Sequence, residues 1–356
     1  MLLKPLAVVV AFLAQHGATQ GDMLRFGCSQ LVIERVDPIV NPGMNPSAHA
    51  HQIVGGSSFN VTMDPASFDP SKASTCTSCL YAEDMSNYWT ASMYFKSPEN
   101  GSYRLVPQFA NWRRPNGKEL LPQDGGLTVY YMQPFSGKPK TTSFRPGFRM
   151  LAGNPNLRSK TGTFPGICHR CIGNGEGGAP CDSKDTSEFP AKVCPGGIRA
   201  TVIFPTCWDG KNLDSPDHQS HMAYSGRSAL AGDSCPASHP VRVPQVMYEI
   251  MWDTKPFNDP KYFQGGKQPF VYSFGDGTGH GQHGDYLFGW KDDSLQRAMD
   301  NLGKNGCSTD TCSSQLTIQA AKDIIGCTKS PHSDEDVGRK GNWLATIPGN
   351  PQVTYK

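Results

Sequence analysis

Three short segments of this sequence bring histidine and aspartate close together, and this combination suits acid–base or metal chemistry near neutral pH. They span residues 47–51, 214–221 and 276–285, and they contain six of the ten histidines. Loops held by a rigid scaffold carry much of the binding and catalytic chemistry of proteins. We therefore predict that the three segments meet in one cleft.

The segment 276–285 has the densest pattern. Its candidates are His280, His283, Asp276 and Asp285, which are separated by glycines and flanked on both sides by apolar residues. We predict that His283 and Asp285 act as a catalytic base and its orienting carboxylate, and that His280 and Asp276 contact the substrate. The alternative is a glycine-rich turn whose aspartates bond to their own backbone.

A second pair of histidines, His49 and His51, recurs with a spacing of two residues. Side chains at this spacing lie on one side of an extended chain, so the two rings can share a metal ion or a substrate group. We assign a catalytic role to His51 and a substrate-binding role to His49. The alternative is a polar loop in which both rings bond to the backbone.

The segment 214–221 offers Asp217, His218 and His221. A histidine beside a carboxylate can act as a base near neutral pH, so we predict Asp217 and His218 as catalytic residues and His221 as a substrate contact. The alternative is that Asp217 caps the start of a helix and that the histidines face solvent.

Aromatic and acidic residues elsewhere could complete a carbohydrate site. Trp208 and Tyr224 are predicted to contact the substrate, while most other aromatic rings are expected in the core. Glu249 and Asp253 are four residues apart on a predicted strand, which puts both carboxylates on one face, and paired carboxylates serve in glycoside hydrolysis. For this pair we favour the alternative of a solvated strand face.

Composition and targeting signals limit location and partners. The chain has 356 residues with 33 Lys and Arg against 31 Asp and Glu, so its net charge of +2 does not favour nucleic acid. Residues 1–21 carry Lys4 and then an apolar run over residues 6–14, which is typical of a signal peptide and too short to span a bilayer. N-glycosylation motifs begin at Asn60 and Asn100. We expect a secreted, extracellular glycoprotein, monomeric and without a membrane span.

Cysteine usage agrees with export. All twelve cysteines follow the signal peptide, and an even number in an exported chain predicts up to six disulfides and at most two free thiols. The pairs Cys76/Cys79 and Cys168/Cys171 also have zinc-ribbon or redox spacing, and we favour disulfides over those alternatives.

Short apolar runs of alternating polarity, separated by Gly and Pro turns, predict a mainly β fold. We expect a single β-sandwich or jelly-roll-like domain over residues 22–327, with long disulfide-stapled loops and a few short helices. The segment 159–197 is interpreted as an insertion, and the polar tail 328–356 is expected to fray. Predicted strands cover residues 31–40, 88–95, 126–132, 144–151, 197–204 and 243–252, and predicted helices cover residues 295–303 and 315–325.

Several longer motifs resemble a known family. They are His49-Ala-His-Gln-Ile-Val-Gly-Gly-Ser-Ser-Phe59, Phe148-Arg-Met-Leu-Ala-Gly-Asn-Pro155, Cys207-Trp-Asp-Gly-Lys-Asn-Leu-Asp214 and His280-Gly-Gln-His-Gly-Asp285. Together they resemble the fungal secreted family of domain of unknown function nineteen-ninety-six, whose members are often joined to WSC or cellulose-binding modules. The resemblance runs from about Cys28 to Cys312 and implies an extracellular role on polysaccharide.

These observations predict a secreted carbohydrate-active protein, a glycoside hydrolase or lyase that acts on cell-wall polysaccharide through a His/Asp cleft. Two alternatives stay open. One is a metal-dependent enzyme that binds a divalent metal, zinc or copper, at the same histidines. The other is a non-catalytic glycan-binding wall protein.

Overall fold

The structure is a computed structural model of the chain. It describes residues 23–111, 125–133, 140–160, 166–173, 178–226, 229–230, 232–309 and 311–355. The predicted signal peptide, residues 1–21, lies outside the described residues.

The described residues form mostly short strands. The strands are β1 (Met23–Cys28), β2 (Val32–Glu34), β3 (His51–Gly55), β4 (Asn87–Ala91), β5 (Met93–Lys96), β6 (Tyr103–Leu105), β7 (Leu127–Met132), β8 (Arg149–Gly153), β9 (Ile167–Cys171), β10 (Ile198–Ile203), β11 (Cys207–Trp208), β12 (Met222–Ala223), β13 (Val241–Arg242), β14 (Gln245–Trp252), β15 (Phe270–Tyr272) and β16 (His283–Leu287). The helices are α1 (Pro70–Ala73), α2 (Ser294–Asn301) and α3 (Ala321–Gly326), and 3-10 helices cover Lys255–Phe257 and Pro260–Gly266. No helix in this described part of the chain has the length and apolar character of a membrane span.

Two five-stranded antiparallel sheets form the body of the protein. The first sheet has the strand order β1-β7-β14-β10-β9, and the second sheet has the order β2-β3-β4-β16-β8. Two three-stranded sheets, β12-β11-β13 and β15-β5-β6, lie beside them. The prediction of a mainly β fold with a few short helices is therefore confirmed.

The two large sheets share one hydrophobic core. Tyr88 and Tyr286 of the second sheet meet Tyr131 and Tyr248 of the first sheet, and all four rings are fully buried. The Tyr131 hydroxyl lies 2.8 Å from that of Tyr88 and donates to that of Tyr286 at 3.0 Å, which satisfies polar groups that would otherwise be buried without partners. This contact makes the fold a sandwich.

The outer face of the second sheet is covered by the chain that follows β2. Ile53 and Trp89 of the sheet pack against apolar side chains of this cover, which are Val36, Ile39, Phe59 and Met63. Polar groups on this face are therefore withdrawn from water, which is the setting of the site described below.

Six disulfides staple the loops, as the cysteine count predicts. The bonded pairs are Cys28–Cys79, Cys76–Cys327, Cys168–Cys181, Cys171–Cys194, Cys207–Cys235 and Cys307–Cys312. All twelve cysteines are described, and none is free. Each cysteine of the two closely spaced pairs bonds to a distant partner, so neither pair is a zinc ribbon or a redox motif.

The interpretation of the segment 159–197 as an insertion is wrong, because part of it belongs to the sandwich. Strand β9 pairs with β10 over five residues, from Ile198↔Cys171 to Val202↔Ile167. The cysteines at both ends of β9 indicated a stapled loop, but their two disulfides hold neighbouring loops onto an edge strand.

The segment after Thr328 is held against the domain and does not fray as expected. Arg35 pairs with Glu335 at 2.7 Å, and Ile347 is buried among aromatic and apolar side chains. Close to the C-terminus, Thr354 exchanges backbone hydrogen bonds with the turn around Asp276. The polar composition of the tail did not indicate these contacts, which combine an ion pair and backbone hydrogen bonds with the burial of Ile347.

Candidate functional site

Two predicted histidines lie in one row across the second sheet. His51 at the start of β3 pairs with Ala91 of β4, and the register of β4 with β16 places His283 on the other side of Ala91. Residues in one cross-strand row face the same side of a sheet, so both rings point to the covered outer face. Their ring centroids are 6.2 Å apart, and the methyl side chain between them leaves room for this approach.

His49 completes a group that we call the histidine trio: His49, His51 and His283. The His49 ring lies 4.2 Å from the His51 ring and 5.2 Å from the His283 ring, between centroids. His49 Nε2 is 3.2 Å from His283 Nε2, and one nitrogen from each ring lies within 4.8 Å of the others. Nitrogens around a tetrahedral zinc ion are about 3.3 Å apart, so the distance between His49 and His283 matches that of two zinc ligands, and His51 lies near enough to be a third.

The trio is held in the neutral form that binds metals. Burial, together with the neighbouring histidines, lowers the pKa of His49 well below its ordinary value and that of His51 to about 3. Burial also lowers the pKa of His283 to about 4. His283 Nδ1 donates to the Gly281 carbonyl at 3.0 Å, which leaves the lone pair of Nε2 facing His49.

Two carboxylates, the carboxylate pair Asp37 and Asp285, lie behind His51. One oxygen from each and one His51 nitrogen are within 4.8 Å of one another. Asp37 accepts hydrogen bonds from the backbone of Ile39 and Val40, whereas neither oxygen of the fully buried Asp285 has a hydrogen-bond partner in the part of the chain that the structure describes. Burial raises the pKa of Asp285 well above its ordinary value, and the nearby Asp37 raises it further.

Asp37 is a member of the site that the sequence analysis missed. It was placed inside the predicted strand 31–40, but the following Pro38 is a signal against a continuous strand. The strand ends at Glu34, and the chain then turns so that Asp37 folds back over β3 and β16.

Asp276 is used by its own loop. Its buried carboxylate accepts hydrogen bonds from the backbone of Thr278, Gly279 and Gly281, and it pairs with Arg158 at 3.7 Å. These bonds fix the turn that leads into β16, so Asp276 positions His283 and leaves no oxygen for a substrate to reach directly.

His280 lies outside the trio and lines a groove of about 950 Å³. The groove is also lined by Lys96, Arg158, Tyr262 and Tyr355. Arg158 lies over the ring of Phe274, and that ring contacts both His49 and His283. One wall of the groove is therefore in contact with the side chains that surround the trio.

A scan against protein-family models matches residues 37–290 to the family described as Domain of unknown function (DUF1996). The chain belongs to this family. The matched region covers most of the chain and includes all five residues of the trio and the carboxylate pair. No curated protein and no solved structure matches the chain.

The segment 214–221 of this DUF1996 chain lies beside the trio without joining it. The Leu151 amide of edge strand β8 donates to the His218 carbonyl at 2.9 Å, and β8 is the neighbour of β16. His218 Nδ1 is 2.8 Å from Asp214 Oδ1, and the His218 ring is close enough to Asp37 to lower the pKa of that carboxyl slightly against the effect of burial. The charge of His218 thus acts on Asp37, one member of the carboxylate pair.

Asp217 and His221 have structural contacts. Burial alone would raise the pKa of Asp217, but hydrogen bonds from Ser220, Ser215 and Gln219 together hold it well below its ordinary value. His221 Nε2 lies 2.8 Å from the Arg149 carbonyl, and its Nδ1 lies 2.8 Å from the Ser215 hydroxyl. Asp217 therefore holds the 214–221 loop together, and His221 fastens that loop to β8.

The remaining predicted residues lie away from the trio. Trp208 is 1% exposed and donates to the Asn212 carbonyl, so it offers no open face for a sugar. Tyr224 donates to the Ile203 carbonyl. Glu249 is buried on the first sheet, where it pairs with Arg199 at 3.2 Å, so the expectation of a solvated face is wrong for this carboxylate.

Proposed function

We propose that the protein is an exported metalloprotein that binds a zinc or copper ion at the histidine trio and acts there on cell-wall polysaccharide. The observation that carries the proposal is the approach of three neutral ring nitrogens within 4.8 Å, with two Nε2 atoms 3.2 Å apart. Sites made of imidazole nitrogens suit zinc and copper. The six disulfides support export.

The trio favours metal binding over simple acid–base work. An acid–base pair needs two groups whose environments push their pKa values apart. Here burial lowers the pKa of all three rings in the same direction. A metal ion between the nitrogens would use the lone pairs that the fold has turned toward each other.

The groove beside Arg158 is the proposed saccharide-binding surface. It combines aromatic rings, Tyr262 and Tyr355, with the hydrogen-bond donors Lys96 and Lys267, and Tyr355 is 44% exposed. Aromatic faces and polar side chains together suit a ring that has one apolar face and many hydroxyl groups. His280 lines the same groove and stays a proposed substrate contact.

The test begins with metal content. Purified protein is stripped with chelator and titrated with zinc and with copper, and His283→Ala is compared with His280→Ala from the same loop. We expect the wild type and His280→Ala to bind metal and His283→Ala to lose it from the trio. Failure of the wild type to bind either ion would leave the 3.2 Å contact as a hydrogen bond between His49 and His283.

Activity is then measured on a polysaccharide panel with and without chelator. Product release that chelator abolishes and zinc or copper restores supports the proposal. Binding of a polymer without product release would instead identify a glycan-binding wall protein. If the protein neither binds nor cleaves any polymer of the panel, polysaccharide is excluded as its ligand.

A metal-free hydrolase or lyase is the second candidate, and Asp285 is the observation that favours it. Burial raises the pKa of this carboxyl well above its ordinary value, which favours the protonated form that a general acid requires, and His51 lies next to it. In this candidate Asp285, His51 and His283 would be the catalytic groups. Product release that is indifferent to chelator would select it.

A further inference from the structure

We propose that the carboxylate pair and His51 bind a second divalent metal ion beside the one in the histidine trio, an inference that rests on the trio being a metal site. Its ligands are one oxygen from each of Asp37 and Asp285 and the His51 nitrogen that the first ion does not use. His51 then bridges the two ions as an imidazolate.

The first argument is the isolation of Asp285. The buried carboxylates of the described residues are Glu34, Asp37, Asp84, Glu249, Asp276 and Asp285. Among them, Asp285 alone has two oxygens without a hydrogen-bond partner, and its exposure is 0%. A buried carboxyl needs hydrogen-bond partners whether or not it is ionised, and buried carboxylates are paired or coordinate metals, so two unpartnered oxygens fit the role of a metal ligand.

The contrast with Asp84 and Asp276 shows that the fold provides partners where it uses aspartate structurally. Asp84 accepts from the Tyr88 hydroxyl at 2.7 Å and from the Ser86 amide at 3.1 Å. Asp276 accepts from three backbone amides of its own loop. Asp285 comes from the middle of β16, where the strand pairing uses the backbone and no donor among the described residues turns toward the side chain.

The second argument is the spacing of the three groups. Their ligand atoms lie within 4.8 Å of one another, yet Asp285 forms no hydrogen bond to either of the others. Ligand atoms that each lie about 2.1 Å from one ion are separated by about 3–4 Å. The three ligand atoms are therefore close to the separation that ligands around one ion adopt.

The third argument concerns His51, which belongs to both groups. Neither of its ring nitrogens has a well-formed hydrogen bond, although the Val36 backbone lies close enough to favour protonation slightly. Its ring is fully buried between the other trio members and the carboxylates. Two carboxylates and one imidazole form a harder ligand set than three imidazoles, which suits zinc or manganese at the second position. Binding there releases to solvent the single ring N–H proton of neutral His51, together with any proton that the two carboxyls carry.

The test is metal stoichiometry in the intact, disulfide-bonded protein. Chelator-stripped protein is titrated with zinc by calorimetry, and bound zinc is counted after gel filtration. We expect two ions per chain in the wild type, one in Asp285→Asn, and two in Asp84→Asn, which makes the same change in a buried carboxylate outside the site. Circular dichroism checks that each variant is folded.

Loading with copper gives a second readout. Two copper ions bridged by an imidazolate are magnetically coupled, so the wild type should show less copper by electron paramagnetic resonance than by total analysis. Asp285→Asn should show equal amounts. If that variant fails to fold, Asp37→Asn replaces it, because the amide oxygen can still accept from Ile39 and Val40.

The outcomes separate this inference from the proposed function. One ion per chain in the wild type and in Asp285→Asn alike overturns the second site and leaves the metal-binding trio in place. No bound ion in the wild type overturns both. Two ions in the wild type that are both retained in Asp285→Asn and Asp37→Asn place the second ion elsewhere and overturn the inference.

Discussion

At the scale of single residues, the role of each aspartate near the site follows from what its oxygens contact. Asp276 and Asp217 both accept backbone hydrogen bonds and fold a loop, but Asp276 is buried and Asp217 is exposed. Removing an acceptor costs most where water cannot replace it, because the abandoned donors are then left without partners. The two residues therefore form a matched pair for mutation.

We predict that Asp276→Ala lowers the free energy of unfolding by about 2–5 kcal/mol, because several buried amides lose their acceptor at once. Asp217→Ala is expected to cost about 0.5–2 kcal/mol, as for other exposed caps. Chemical denaturation of both variants gives the comparison. Equal losses would show that the Asp276 bonds do not hold the loop before β16.

At the scale of elements, strand β16 contributes to both faces of the second sheet: it carries site residues on the outer face and packs against the first sheet on the inner face. His283 and Asp285 point to the covered outer face, while Gly284 between them faces the first sheet. A Cβ at Gly284 would lie 3.1–3.2 Å from side-chain atoms of Val202, Phe204 and Tyr248. Close approach of the two sheets therefore depends on glycine at this position. Because His283 and Asp285 flank Gly284 on the same strand, this packing also fixes the position of the site residues.

We predict that Gly284→Ala destabilises the protein by about 1–3 kcal/mol, because the added methyl group overfills the core. Gly326→Ala in α3 is the control, since a Cβ there meets nothing within 4 Å, and alanine favours a helix. The melting temperature of Gly284→Ala should fall below that of the wild type, whereas that of Gly326→Ala should not. Tolerance of alanine at Gly284 would mean that the sheets can separate slightly without cost.

The contact between the two sheets also contains Asp84, and burial raises its pKa to about 7 from an ordinary value of 3.8. As pH rises, the Asp84 carboxyl therefore loses its proton at a lower pH in the unfolded chain than in the folded protein. The stabilising contribution is complete below about pH 4, shrinks as pH rises, and is lost once the pH passes about 7.

We predict that the melting temperature of Asp84→Asn rises relative to that of the wild type between about pH 4 and pH 8, because only the wild type loses the Asp84 contribution over this range. The neutral amide keeps an oxygen for the Tyr88 and Ser86 donors but cannot ionise. Thermal melts across this range test it. Identical slopes in the two proteins would contradict the assigned cause.

At the scale of the whole molecule, the disulfides differ greatly in the length of the chain segment that each one closes into a loop. Cys76–Cys327 closes a separation of 251 residues and anchors the start of the C-terminal segment, whereas Cys307–Cys312 closes a separation of 5. In the chain-entropy model, a longer closed loop restricts the unfolded chain more.

We predict that replacing Cys76 and Cys327 by serine costs about 3 kcal/mol more than replacing Cys307 and Cys312. Denaturant unfolding of the two double variants measures the difference. A larger loss for the short loop would mean that strain or local packing, and not loop closure, dominates.

The sequence by itself determined what local pattern and composition control. The alternation of short apolar runs predicted the β class, the even cysteine count predicted the six disulfides, and the close spacing of His49 with His51 and of His283 with Asp285 selected four of the five site residues. These features need no knowledge of distant contacts. Side-chain alternation along a strand already placed each close pair on one face.

Only the tertiary structure decided which of these groups meet. His51 and His283 come together because β4 separates β3 from β16 in the second sheet, an order that no local pattern contains. The 214–221 segment has a similar composition, but the same order places it beyond β8 at the sheet edge. Asp37 joins the site because the chain folds back after β2, and the disulfide partners follow from the same folding. Strand order and register depend on long-range packing of the two sheets, so residues far apart in the chain become neighbours only in the folded protein.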